Sequence, residues 1–260
     1  MNVTTVRSLT GSAADAVIVG MYPGNRAADG TVAATRLLGA WTRDALEAAG
    51  FDGESGATAV LPNPSEDGPR TVVFVGLGSE LDVEGLRQAA GYGRRALPAK
   101  VRTVATTLHR IDLDGAVGAV LEGIALADYS FDTYKSKADS RPKLTVELVG
   151  SVSELESVIT AAKVVTDMVA FARDLVNEPP QAKAPLALAE RVASVATGHD
   201  LQHEIWAGDR LHEEKMAGLL AVGGGAARPP PMVRVDNPPP RAEKHLVLGG
   251  EGIVLDYGGV

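Results

Sequence analysis

The residues best suited to chemistry lie at 249–260 and read Gly249-Gly250-Glu251-Gly252-Ile253-Val254-Leu255-Asp256-Tyr257-Gly258-Gly259-Val260. An apolar strand runs into Asp256, and a glycine pair follows. That layout sets a carboxylate at a strand end, where glycine lets backbone come close to a ligand. A carboxylate oxygen is a suitable hard donor for a divalent metal ion. One carboxylate does not make a metal site, so most donors of any site built on Asp256 are expected outside this chain. The plain alternative is a turn aspartate ahead of Gly-Gly.

Other groupings are weaker. Gly76-Leu77-Gly78 follows a β-rich run, but the third glycine of a dinucleotide loop is missing and Ser79-Glu80 puts an acid where an anion would sit. It reads as a strand-to-helix turn. Gly223-Gly224-Gly225 lacks a following Lys-Ser or Lys-Thr, so it is no P-loop and reads as tight backbone packing between strands. His199 and His203 have the spacing of a zinc helix, yet Gly198 precedes them and 201–206 reads as strand. Residues four apart on a strand are ~13 Å apart, too far to share one zinc. Ser12, Ser65 and Ser79 have no elbow motif or evident base. Arg94-Arg95 reads as a solvated helix face.

Composition narrows the function classes. Apolar residues make up 45% of the 260 and charged residues 22%, ordinary globular values, so a sizeable core needs no covalent staple. Aromatics reach only 4%, which leaves Ala, Val and Leu to build that core. There is no cysteine. Disulfides, thiolate metal sites and thiol catalysis are therefore excluded, in keeping with a reducing cytoplasm. The net charge of −8 argues against nucleic acid, and the short basic clusters Arg94-Arg95 and 135–137 form no basic stripe. No apolar run approaches the length of a membrane helix, and the N-terminus has no signal-peptide pattern.

The elements that must position these residues follow from periodicity. Strands are predicted at 14–21, 57–61, 71–77, 101–108 and 143–149, the second and third joined as a charged hairpin across 62–69. Helices are predicted at 31–49 with Gly50 as C-terminal cap, at 82–97 capped by Asp82, and at 115–128. Strands separated by helices imply a largely parallel sheet covered on both faces. The clearest helix runs from a Ser153/Glu156 capping box to Asn177, where Pro179 and Pro180 stop it. Beyond it come a helix at 186–196, a strand at 201–206, a short helix at 210–216, and strands at 232–235 and 246–248. The fold class is α/β, in two units.

Several segments together resemble the leucyl (cytosol) aminopeptidase family. Ala172-Arg173-Asp174-Leu175-Val176-Asn177-Glu178-Pro179-Pro180 is similar to the helix end that opens the family's catalytic domain. Ala221-Val222-Gly223-Gly224-Gly225-Ala226-Ala227-Arg228-Pro229-Pro230 is similar to its next landmark. Ala242-Glu243-Lys244-His245-Leu246 leads into the strand carrying the first metal ligands, and 250–259 stands where the family has Gly-Lys-Gly-Ile-Thr-Phe-Asp-(Ser/Thr)-Gly-Gly. Segments 71–78 and 119–137 resemble the family's N-terminal domain.

The resemblance implies a macro-like N-terminal α/β domain at 1–150, a linker helix at 151–177 and, at 178–260, the beginning of the metallo-aminopeptidase catalytic domain, truncated. It implies metal-dependent release of N-terminal residues of the leucine type from peptide substrates, two divalent ions (Mn or Zn), a homo-hexamer and a cytoplasmic setting. Asp256 matches a family metal ligand. Glu251 stands in for a family lysine whose amine ligates one ion, and a glutamate there adds negative charge. The remaining carboxylate ligands, a catalytic lysine and an arginine fall beyond position 260. The expectation is that this chain by itself neither binds two ions tightly nor turns over substrate. The alternative is a non-catalytic binding module, with the N-terminal domain holding a nucleotide-like ligand or a protein partner.

Overall fold

A computed structural model describes residues 1–98, 100–136 and 143–254. The chain forms two compact units, Met1–Arg173 and Asp174–Val260.

The first unit is built on one sheet. Its strands are β1 (Asn2–Val6), β2 (Ala16–Tyr22), β3 (Arg26–Ala27), β4 (Thr58–Pro62), β5 (Thr71–Gly76), β6 (Thr103–Thr106) and β7 (Thr145–Val149). They lie in the order β1-β7-β6-β2-β5-β4, with β3 paired to β2. Neighbours are parallel along β1, β7, β6, β2 and β5, while β3 and β4 add antiparallel pairs. The expected hairpin over the proline-containing turn is β4 with β5. β1 has no counterpart in the sequence expectations. Asn2-Val3-Thr4-Thr5-Val6 holds two apolar residues, and pairing with β7 makes it a strand.

The alternation of side chains explains why this sheet is central. Ile18, Val73, Val75, Val104, Val146 and Leu148 enter one buried cluster. Val17, Val19, Val72, Phe74, Ala105 and Val149 enter a second. Successive residues of one strand supply both clusters, which requires helices on both faces. Those helices are α1 (Thr31–Leu38), α2 (Thr42–Ala48), α3 (Val83–Ala96), α4 (Ala116–Ala127) and the first part of α5 (Leu155–Asn177).

The single helix expected over 31–49 is two. Gly39 takes φ 94°, a left-handed conformation that ends α1, and Thr42 Oγ1 donates to the Gly39 carbonyl at 2.7 Å to start α2. α3 begins as expected, with Asp82 Oδ1 accepting from Gly85 N at 2.7 Å. Asp82→Ala is expected to cost about 1 kcal/mol, seen as a lower urea midpoint at unchanged m-value. An unchanged midpoint would show that the cap contributes nothing.

α3 and α4 pack through glycine. A Cβ at Gly123 would lie 2.1 Å from the Arg87 carbonyl oxygen, and one at Gly91 would lie 3.3 Å from the Gly123 carbonyl oxygen. Arg87 Nε donates to Glu122 Oε2 at 2.7 Å, and Arg94 pairs with Asp128 across the same contact. Hydrogen bonding to Glu122 raises the Arg87 pKa above its usual range. Arg94 is only 4% exposed, which corrects the expectation of a solvated Arg94-Arg95 face. Arg95 stacks on Tyr92 instead.

α5 starts later than the capping box predicts. Glu154 has φ 52° and precedes the first helical residue, Leu155, so Ser153 is one position too early to cap. Leu155, Ile159 and Ala162 pack onto the first unit's core. The division between the units falls late in this helix.

The second unit contains the end of α5, α6 (Pro185–Gly198), β8 (Gln202–Trp206), α7 (Asp209–Glu213), α8 (Ala217–Gly223) and β9 (Met232–Asp236). β8 and β9 pair antiparallel, and α6 covers them with Ala189, Ala193 and Ala196 buried. The strand expected at 246–248 does not form. Residues 242–253 carry no regular structure, and Leu246, Val247 and Leu248 are 80%, 75% and 87% exposed. A β pattern becomes a strand only when a neighbour accepts its backbone hydrogen bonds, and no described strand does so here.

Candidate functional site

The landmark segments of the second unit begin at the end of α5. Lys183 Nζ donates to the carbonyls of Leu175 at 2.7 Å and Val176 at 3.2 Å, capping that helix with a cation. The Glu178 carboxylate pairs with Arg191 on α6. Its charge is already compensated, so it is a poor candidate for a metal donor. Pro185 opens α6, where its missing N–H costs no hydrogen bond. The glycine landmark ends α8 rather than joining strands. A Cβ at Gly223 would lie 2.3 Å from the Pro230 ring, so the close packing expected there is against proline.

Glu251 lies in the irregular segment and is exposed. Gly252 passes close to α6, since a Cβ there would be 3.0 Å from Leu188 Cδ2. Asp256 lies outside the described residues. Among the described residues no group of three or more His, Asp or Glu converges on a metal-sized space. Two divalent ions carry four positive charges, and their dehydration needs several carboxylates. The described residues do not supply that donor set.

The weaker groupings resolve into structural roles. The three N–H groups of Gly76, Leu77 and Gly78 donate to the carbonyls of Ala57, Met21 and Gly53 at 2.8, 2.9 and 3.0 Å. None is left to cradle a phosphate. Ser12 Oγ donates to Glu147 Oε2 at 2.6 Å and accepts from Ala14 N at 3.1 Å, a link between elements rather than a nucleophile and base. His199 follows α6 and His203 sits on β8, so the two belong to different elements and both are exposed.

One residue escaped the sequence reading. His109, in the short 3-10 turn after β6, is 8% exposed, and neither ring nitrogen has a hydrogen-bond partner. Burial, reinforced by Arg110 and partly opposed by Asp29, lowers its pKa from 6.5 to about 4. Leu-His-Arg after a strand looks like a surface turn, and nothing local signals that the middle residue is buried.

The model of the N-terminal domain of the cytosol aminopeptidase family matches residues 18–138, and the model of that family's catalytic domain matches residues 170–260. A probable cytosol aminopeptidase of Leifsonia xyli subsp. xyli is 38% identical over 86% of this chain and 46% of its own length. One from Micrococcus luteus is 34% identical over 98% of this chain and 52% of its own length. The chain thus spans about half the length of the curated relatives it matches. Among solved structures, the bottromycin maturation enzyme BotP in complex with Mn is 29% identical with a TM-score of 0.69, over 88% of this chain and 46% of that one. A tomato leucine aminopeptidase mutant superposes with a TM-score of 0.76 at 22% identity, over 94% of this chain and 52% of that one, a likeness of fold.

Proposed function

Since this chain belongs to the cytosol aminopeptidase family, we propose that it serves metal-dependent removal of N-terminal residues from peptides. One observation carries the reading. Two models of the same family match in family order, and the second runs across residues 249–260. Asp256 is assigned as a metal-ligating carboxylate, and Glu251 as an acid at a position where the family places a ligating lysine. Mn or Zn would supply a Lewis acid and lower the pKa of a bound water. The described residues include no cluster of donors for such a pair, so no hydrolytic step is assigned to them. What this chain contributes is a positioned scaffold, with Lys183 and the Arg191–Glu178 pair fixing the turn into α6 and Leu188 receiving the backbone at Gly252. A peptide substrate, a hexameric assembly and a cytoplasmic setting go with the same reading.

The test compares two proteins. The 260-residue chain, given manganese and a leucyl anilide, is expected to show no chelator-sensitive turnover. Joined in frame to the remainder of the Leifsonia relative's catalytic domain, it is expected to hydrolyse the anilide. Asp256→Asn in that chimera should weaken manganese binding by at least about tenfold. A folded chimera without turnover would sink the aminopeptidase reading. Turnover by the 260-residue chain would sink the donor argument.

A further inference from the structure

The order in which the chain adds strands to the first unit's sheet reverses at β2. From β2 the chain goes to β5 on one side and then to β6 on the other. In open α/β sheets ligands bind at such a switch point, outside the carboxyl ends of the strands. Here the crevice between β2 and β6 is filled by the protein itself. Ala28 N and Thr31 Oγ1 both donate to the Gly20 carbonyl, at 3.1 and 2.7 Å. Gly30 sits so close to the residue that follows β6 that a Cβ would lie 2.6 Å from Thr107 Cβ. A ligand in the usual place would have to displace this plug.

Open space lies instead beside the end of β2, between β3 and the helices α1 and α2. A cavity of about 500 Å3 is bounded by Met21 at the strand end, Ala27 on β3, Arg36 on α1, Ala40 in the break, and Arg43 and Leu46 on α2. That volume suits a small molecule. Arg36 and Arg43 come from either side of the Gly39 break and line the same space. No acidic side chain lines it, and among the described residues neither arginine has an ion pair or side-chain hydrogen bond. In the same unit Arg87, Arg94 and Arg110 are each paired with a carboxylate. Two uncompensated guanidinium groups above an apolar floor match a ligand with one anionic end and one apolar body. Arginine binds carboxylate and phosphate through paired N–H donors and loses its hydration more readily than lysine.

We propose that this cavity binds a small organic anion, its carboxylate or phosphate held by Arg36 and Arg43 and its apolar body resting on Met21, Ala27, Ala40 and Leu46. The site is independent of the metallopeptidase reading and draws on none of its residues. Trp41, between Ala40 and Thr42, provides a reporter, because the chain has only two tryptophans. In the full chain carrying Trp206→Phe, titration with adenosine monophosphate or N-acetylleucine is expected to give a saturable change in Trp41 emission below roughly 10 mM. Calorimetry of the same titrations detects binding that leaves Trp41 unmoved. The titrant that saturates identifies the head group as phosphate or carboxylate. The Arg36→Gln/Arg43→Gln double variant should keep its unfolding midpoint and weaken binding by at least about tenfold. Leucinamide, which lacks the anion, and inorganic phosphate, which lacks the body, should bind more weakly than the organic anion. Absence of saturation with both organic anions by both readouts would overturn the site. So would undiminished binding by the double variant, or equal binding of either control.

Discussion

Gly123→Ala is expected to destabilise the first unit by roughly 3 kcal/mol and lower its thermal midpoint by on the order of 10 °C. The added methyl would meet the Arg87 carbonyl oxygen at 2.1 Å and Ala90 Cβ at 3.0 Å. The nearest obstacle is helix backbone, which cannot rotate away as a flexible side chain can. Relief requires α4 to move off α3. That movement would stretch both Arg87–Glu122 and Arg94–Asp128, which join the same two helices. Gly118→Ala, on the same helix, is the control. Its methyl would meet Val158 Cγ1 at an ordinary 3.8 Å, so higher helix propensity should stabilise by up to about 1 kcal/mol. Equal effects of the two substitutions would mean that helix spacing is not set by Gly123.

Stability should also fall as the pH drops through the range between the ordinary histidine value and about 4, because His109 folds in its neutral form. Its folded pKa lies below its unfolded one, so the unfolded chain takes up the proton first. The contribution is therefore fully present above about pH 6.5 and lost progressively as pH falls toward 4. Between pH 7 and pH 4.5 the loss amounts to roughly 2 to 3 kcal/mol. The cause is physical and local. A residue 8% exposed, with no partner for either ring nitrogen, is further disfavoured as a cation by Arg110 and receives only partial compensation from Asp29. His109→Leu removes the titrating group and an unsatisfied buried pair of nitrogens, and should be as stable as the parent at pH 7 or more so. Urea unfolding followed at Trp41 in the Trp206→Phe background at both pH values decides the matter. If the leucine variant loses as much stability on acidification as the parent, other groups carry the effect.

Much of the fold was legible because its signals are local. The runs in β2, β5 and β7, the Asp82 cap of α3, and the three-four spacing of α4 and α5 each involve residues within one or two turns of one another. The aminopeptidase landmarks were legible for a similar reason, being short stretches whose order along the chain is itself the signal. The Gly39 break was less so. A helical apolar pattern continued on both sides of it, and only φ 94° shows that the glycine ends one helix before the next begins. The run at 246–248 had strand character, yet strand formation is a pairing event, and no described strand pairs with it.

The α/β class, the order of most elements and the family were readable from residues and their spacing. Which distant groups meet follows only from folding: Gly123 against the Arg87 carbonyl, Gly30 against Thr107, His109 away from every hydrogen-bond partner, Arg36 and Arg43 around one cavity. Propensity and periodicity depend on neighbours a few residues away. Burial, charge compensation and close approach depend on separations in space, which emerge only once the sheet has brought its strands into register and the helices have packed against it.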